Sequence, residues 1–542
     1  MPVNPRSNAS RIDLSDELPL PRATLRGLRG ALGRKKFADS TGQAMTGGQA
    51  LTKALVLRKL LLREVLGEDE QRVGVLLPPT CGGAIVNAAL SLAGRVPVNL
   101  NYSASQDVIN ACVKAAGLKH VLTTDKVLDK LGIELDCDAM RLDALRDKVR
   151  LTDKIAGFVS AYAMPLPMLE SRLGLNDITL DDIATIIFTS GSTGTPKGVM
   201  LTHRNVLANV RSIERAVRLS AEDTLLGILP FFHAFGYTVT LCAPLVLELA
   251  AAYHFNPLDA RQVGKLAREH QASILLSTPT FLRSYLKRVP PEDFESLKIV
   301  IVGAEKLPQT LSDAFEKKYG VRPSEGYGVT EMAPVVSVNI PPCRSGGDRI
   351  DSRDGSIGLP LPSVRARIVD PDTNEELPAG AEGMLEVAGP NRMLGYLDDP
   401  VKTEQVIRDG WYVTGDIARI DGDGFIHITG RQSRFSKIGG EMVPHVRVED
   451  EIQHFLGGDS AEEQLAVVTA VPDEKKGERL VVVHLDVERT PEEVCQHLLS
   501  VGLPNLWIPS PDCFMQVEEL PLLGSGKLDL KGLAALAKER FA

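Results

Sequence analysis

From Arg72 onward, short apolar runs alternate with helix-forming stretches, and this alternation leaves the chain few architectures to choose from. RVGVLLPP leads into a helical stretch from Gly83, RVPVNL into another from Ser105, and HVLTT follows. A second series runs through residues 224–230, 272–277 and 297–302, each run ending near Gly or Pro. Strand, crossover helix and parallel strand, repeated in this way, predict an α/β protein built on doubly wound parallel sheets. After Gly355 the texture changes to strands joined by tight turns, as in VRARIVDP, GMLEVAGP and GFIHITGR, which predicts a β-rich subdomain. Residues 431–542 hold apolar strands at 465–471 and 480–485 and a terminal helix, enough for a small separate α+β domain with its boundary near Gly430. Residues 1–45 read as a loosely structured lead-in with one short basic helix around 25–36, which leaves 46–430 as the large domain.

Charge excludes one broad class of function. With 70 Asp and Glu against 61 Lys and Arg, for a net of −9, the chain has no excess of positive charge from which to build an extended nucleic-acid surface. Seven cysteines without a CxxC pair predict neither a disulfide framework nor a zinc site, and a reducing cytoplasm is the expected compartment. No stretch has the apolar length of a membrane span or the core of a signal peptide.

Chemistry concentrates at residues 186–206, IIFTSGSTGTPKGVMLTHRNV. A β-branched apolar run breaks into a loop of Thr189, Ser190, Gly191, Ser192, Thr193, Gly194 and Thr195, and Lys197 follows. Glycines let backbone N–H groups close on an anion, hydroxyls add donors and the lysine adds charge, so the composition is that of a phosphate cradle. It is not a Walker A loop: Pro196 stands where the second glycine belongs, Gly198 follows the lysine, and no helix pattern starts directly afterwards.

TSGSTGTPKG resembles the signature loop of the adenylate-forming superfamily, which includes acyl-CoA synthetases, peptide-synthetase adenylation domains and luciferases. Four more stretches resemble that family's motifs and fall in its order: EGYGVTE (325–331), VTGDIA (413–418), GRQSRFSKIGGE (430–441) and LLGSGKLD (522–529). The resemblance implies attack of a carboxylate on the α-phosphate of ATP. That reaction needs no general base, since the acid is already ionised; its barrier is charge repulsion and geometry. Residues 189–197 would then hold the β- and γ-phosphates, Thr330 the α-phosphate, and Glu331 a Mg²⁺ ion. Tyr327, between Gly326 and Gly328, would lie against adenine with Gly303, Ala304 and Glu305 on the opposite wall. Asp416 would accept from the ribose, with Ile428 and Arg431 beside it. The resemblance also makes Arg434 and Lys437 hinge residues of a mobile C-terminal domain, and Lys527 the cation that neutralises charge during adenylation. His233, in PFFHAFGY, would stand near the carboxylate and acyl pocket; a satisfied core histidine is the alternative for it. HFNPLD (254–259) matches the HxxxxD pattern of glycerolipid acyltransferases, but Pro257 interrupts it and no separate acyltransferase domain remains unassigned.

Within the superfamily, VGAEKLP, EGYGVTEMAPVVSVN, GRQSRFSKIGGEMV and LPLLGSGKLD are most similar to the synthetase half of bifunctional 2-acylglycerophosphoethanolamine acyltransferase/acyl-ACP synthetases. The expected activity is therefore ATP- and Mg²⁺-dependent activation of a fatty acid and its transfer to the thiol of acyl carrier protein. Transfer to CoA is the alternative, and a non-catalytic acyl or nucleotide sensor a further one. Residues 431–447 carry a net charge of +3 from Arg431, Arg434, Lys437 and Arg447 against Glu441, a strip expected to orient an acidic carrier. Residues 142–173 combine apolar spacings of three and four with a basic flank, the pattern of an interfacial helix, so peripheral contact with a membrane is expected too.

Overall fold

The computed structural model describes residues 14–189, 196–346, 351–431, 434–439, 441–457, 464–473, 476–521 and 528–541. The chain divides into two compact units. One runs to Arg367 and adds Glu386–Thr414 and Ile420–His427; the other comprises Ile368–Leu385, Gly415–Arg419 and the chain from Ile428 onward.

The first unit is the α/β body that the alternation predicts. Its largest sheet has nine strands in the order Leu359–Pro360, Val335–Val338, Ser324–Gly328, Ile299–Val302, Ile274–Ser277, Thr224–Gly227, Ala250–Tyr253, Lys35–Asp39 and Ala44–Thr46. The run from Ser324–Gly328 to Lys35–Asp39 is parallel throughout. These strands read as continuous apolar runs because both faces are covered, Ile274–Ser277 being buried at every position. On one face Leu226, Leu275 and Val300 pack with Leu266, Leu282, Tyr285, Phe294 and Phe315 from the covering helices and loops. A second, four-stranded parallel sheet has the order Val96–Asn99, Arg72–Val75, His120–Thr123, Asp138–Arg141. Val73, Val75 and Leu122 pack with Leu60, Leu61, Val86 and Leu90, while Leu76, Val98 and Val121 pack with Ile109, Cys112 and Val113, so helices again cover both faces. A third, antiparallel sheet joins Gly395–Tyr396, Lys197–Thr202 and Ile183–Thr189.

The expected basic helix at 25–36 lies earlier, at Leu20–Gly30, and Lys35 and Lys36 open a strand of the large sheet. Gly27 explains the placement: a Cβ there would overlap the carbonyls of Leu245 and Val246, so the glycine lets the helix lie directly on that backbone. From Leu20 the supposed loose lead-in is thus part of the packed body. Residues 142–173 form three short helices, Leu142–Arg146, Leu151–Tyr162 and Leu166–Arg172, rather than one.

The second unit is α+β. Ala466–Asp473 pairs antiparallel with Gly477–His484, which pairs parallel with Phe514–Gln516. Val468 and Val482 pack with Val448, Ile452, Val494 and Leu498 on one face. Val467, Val481 and Val483 pack with Leu533 and Ala537 of the terminal helix Leu530–Phe541 on the other.

Candidate active site

In the nine-stranded sheet, chain order runs one way from Thr224–Gly227 to Ala250–Tyr253 and the other way to Ile274–Ser277. Such a switch point leaves a crevice beyond the C-terminal ends of the strands, where open α/β sheets bind ligands. PFFHAFGY leaves the strand Thr224–Gly227 at that end. Phe231 and Phe232 turn inward while His233 is exposed, so His233 is not the core histidine of the alternative reading. Gly236 holds the segment tight, since a Cβ there would collide with the carbonyl of Pro230.

Two neighbouring parallel strands carry the residues expected to face adenine. Ile299–Val302 and Ser324–Gly328 pair at Val302↔Glu325, which places Gly303, Ala304 and Glu305 beside Gly326, Tyr327 and Gly328 at the same sheet end. Gly303 donates its N–H to Ser277 O at 3.2 Å, and a Cβ on it would come within 3.3 Å of Gly326 O. Ala304 has φ 70°, which turns the chain sharply off the strand. Glu305 accepts from Thr280 Oγ1 at 3.0 Å. Burial pushes the Glu325 carboxyl up to about 7, against the lowering effect of the Leu307 N–H and Lys306.

The strands on either side of the expected cradle are antiparallel neighbours. Thr189 and Lys197 are paired residues of the antiparallel strands Ile183–Thr189 and Lys197–Thr202, and the helix His203–Val217 starts only after the second strand. Ser190 to Thr195 lie outside the described residues. Lys197 Nζ stands 5.6 Å from the centre of the Tyr396 ring. Burial, with Lys402 beside it, pulls the Lys197 ammonium down to about 8, although Glu331 and Asp399 favour the charged form. Thr330 and Glu331 lie in the tight turn Thr330–Met332. Glu331 O accepts from Met393 N at 2.7 Å, and its carboxylate accepts the hydroxyl proton of Tyr396 at 2.7 Å. Asn391 Nδ2 donates to Met332 O at 2.7 Å and fixes the far side of the turn. Tyr412 completes the cluster: burial first, then Glu331, Tyr396 and Tyr327, keep its hydroxyl protonated. The structure thus brings together Lys197, Glu331 and Tyr327 as expected and adds Tyr396, Tyr412 and Lys402, which sequence reasoning did not single out. GYLDDP shows locally only a strand end followed by an Asp and Pro helix start, not its partner.

In the second unit Asp416 is 2% exposed and paired with Arg431 Nε at 2.8 Å, so the expected neighbours meet. Ile428 is half-buried three residues before Arg431 in the strand Ile426–Arg431. Arg434 departs from expectation. It is 8% exposed, ion-paired with Glu449 and directed at the Val468 carbonyl, and so is no surface charge. Arg447 is paired with Glu451 at 2.7 Å. The basic strip expected to orient a carrier protein is therefore largely neutralised within its own unit. Lys437 pairs through its backbone with Met442. Lys527 lies outside the described residues. His254 is buried with Nδ1 2.7 Å from Ser40 Oγ, and Asp259 caps the helix Ala260–His270, so the HxxxxD match is structural.

The doubly wound body carries Lys197 and the acidic turn Thr330–Met332 close to one Tyr396 side chain. Residues 29–397 match the family described as AMP-binding enzyme, well over half of the chain, and the chain belongs to that family. It is 29% identical to a long-chain-fatty-acid–CoA ligase of Bacillus subtilis, with 95% of each chain covered. It is 31% identical to a long-chain-fatty-acid–CoA ligase of Salmonella typhimurium over 77% of this chain and 72% of that one. Among solved structures, ATP-bound MatB from Rhodopseudomonas palustris superposes with a TM-score of 0.75 at 26% identity, covering 96% of this chain and 100% of the other.

Proposed function

We propose that the protein joins a fatty acid to CoA through an acyl-adenylate. The carboxylate oxygen attacks the α-phosphate of ATP and pyrophosphate leaves; the thiolate of the acceptor then attacks the acyl carbonyl and AMP leaves. The observation that carries this reading is the cluster of Lys197, Glu331 and Tyr396 beside the paired strands Ile183–Thr189 and Lys197–Thr202, where Tyr396 touches both a cation and an oriented carboxylate. Among the described residues no group of three or more His, Cys, Asp or Glu could cage a metal. A lone carboxylate suits Mg²⁺, which commonly binds one or two carboxylates and takes its other ligands from phosphate oxygens and water. In this reading Glu331 holds that ion, which screens the phosphate charge. Thr330 faces the α-phosphate, Asp416 and Arg431 serve the ribose, Lys527 neutralises the charge that develops during adenylation, and His233 lines the entry of the acid.

CoA is preferred to acyl carrier protein as acceptor for two reasons. The relatives matching most of the chain are named CoA ligases, and the arginines that would have steered an acidic carrier are already paired. Peripheral contact with a membrane, where free fatty acids partition, belongs to the same reading. The test is thioester formation from one fatty acid with CoA and with phosphopantetheinylated carrier protein in parallel. Turnover at least tenfold better with CoA is expected; turnover with the carrier alone would overturn the choice of acceptor.

A further inference from the structure

The helix Leu151–Tyr162 is packed inside out. Asp153, Gly157, Ser160 and Ala161 are buried, while Leu151 (71% exposed), Ile155 (56%), Phe158 (56%) and Val159 (46%) face outward. At 3.6 residues per turn these four apolar side chains fall within an arc of about 100°, the width of an ordinary core-facing stripe, but turned to the outside. Met168, on the next helix, is a further large apolar side chain at the surface, 60% exposed.

The inward face is held by specific interactions, so the orientation is determined. Asp153 accepts from Lys59 at 2.8 Å and Arg63 at 2.9 Å, which hold its carboxyl far below the usual range. Gly157 meets the helix Gly47–Glu64 so closely that a Cβ would come within 2.7 Å of Val56 Cγ2. Arg29 donates to Ser160 O at 3.2 Å, and Arg22 and Arg26 bind the buried Glu170 at 2.7 and 2.9 Å. Rolling the apolar stripe inward would bury Lys154 and break the Asp153 pairs.

The same interactions remove both of the segment's buried acids from its surface field. Arg146, Arg150, Lys154 and Arg172 are exposed and have no ion-pair partner among the described residues, and Lys148 is only 3.6 Å from Glu64. Asp147 is the sole exposed acid between residues 146 and 172. An exposed apolar stripe with Arg150 and Lys154 along one edge, in a chain of net charge −9, matches the interface of an anionic bilayer. An acidic protein groove would complement the charge, but would also need polar side chains along the stripe to pair with at its rim.

We propose that Leu151, Ile155, Phe158 and Val159 insert into the headgroup boundary of an anionic lipid bilayer while Arg146, Arg150, Lys154 and Arg172 bind its surface charge. This surface rests on the fatty-acid reading for its purpose, since it would set the enzyme where its substrate dissolves, but lipid binding is measured without any reaction.

The test is co-sedimentation of the full chain with vesicles of phosphatidylcholine alone and of phosphatidylcholine with phosphatidylglycerol. At least tenfold stronger partition onto the anionic vesicles is expected, weakened by high salt. Ile155→Asp with Phe158→Asp should lower partition at least tenfold on exposed positions that leave the melting temperature unchanged. Arg146→Glu with Lys154→Glu, which alters no buried atom, should abolish the anionic preference. No vesicle binding, or binding indifferent to both variants, overturns the proposal. So does a shift from dimer to monomer in the first variant, which would assign the stripe to a second copy of the chain. Pyrophosphate exchange with octanoate, a water-soluble acid, should persist in both variants; loss of exchange with intact vesicle binding would instead count against the fatty-acid reading.

Discussion

Tyr396 donates its hydroxyl proton to Glu331 Oε1 at 2.7 Å while its ring lies 5.6 Å from Lys197 Nζ, so one side chain positions both the acid and the cation of the candidate phosphate site. The pairing Gly395↔Met200 delivers it there, because it lays the short strand Gly395–Tyr396 along Lys197–Thr202. Tyr396→Phe keeps the ring and removes only the donor. A hydrogen bond to a charged group is worth about 1.5–3 kcal/mol, so kcat/KM for Mg·ATP should fall by roughly 10- to 100-fold with the melting temperature nearly unchanged. An unaltered kcat/KM would remove Tyr396 from the site.

Lys197 must be protonated to meet phosphate, and its ammonium titrates at about 8 because of burial and the neighbouring Lys402. Activity should therefore decline as pH rises through that value, and the profile of kcat/KM for ATP reports it in the free enzyme. Lys402→Ala removes a like charge, which raises the Lys197 pKa, so the alkaline limb should move to higher pH. A limb that stays in place would show that another group controls it.

Glu325 titrates at about 7 in the fold, above its ordinary 4.5. A raised carboxyl takes up its proton more readily folded than unfolded, so stability falls as pH climbs from 4.5 to about 7 and then levels off. Glu325→Gln should therefore raise the melting temperature at pH 8, on the order of 1–2 kcal/mol in stability, with the gain shrinking towards pH 5. Thermal melts at the two pH values check the sign; an equal effect at both would contradict it.

For Lys527 the proposal rests on the motif LLGSGKLD. Lys527→Ala should reduce acyl-adenylate formation by about 10²–10³-fold, as loss of a donor at a developing charge does, and leave thioester formation from supplied acyl-adenylate intact. Equal loss in both half-reactions would contradict a role confined to adenylation.

The two parallel sheets were legible because strands buried on both faces, such as Ile274–Ser277, leave an unbroken apolar signature. The tyrosine–glutamate pair was not, since its partners stand 65 residues apart and meet through strand pairing that no local pattern announces. Periodicity over 142–173 marked Ile155, Phe158 and Val159 together with Leu142, Leu145 and Val149, which pack into the core, and ion pairs from Lys59 and Arg63 to Asp153 decided which face of Leu151–Tyr162 turned inward. Arg434 misled for a similar reason: a charge counted as surface was neutralised by Glu449, 15 positions along the chain.

The central claim is that the Lys197 and Glu331 site makes an acyl-adenylate. Exchange of labelled pyrophosphate into ATP, with Mg²⁺, a series of fatty acids of rising length and no thiol, tests it most directly. Exchange that requires the fatty acid and is lost in Glu331→Ala is the predicted result. A folded protein that binds ATP yet shows no exchange with any chain length would contradict the account and make the chain a nucleotide-binding sensor.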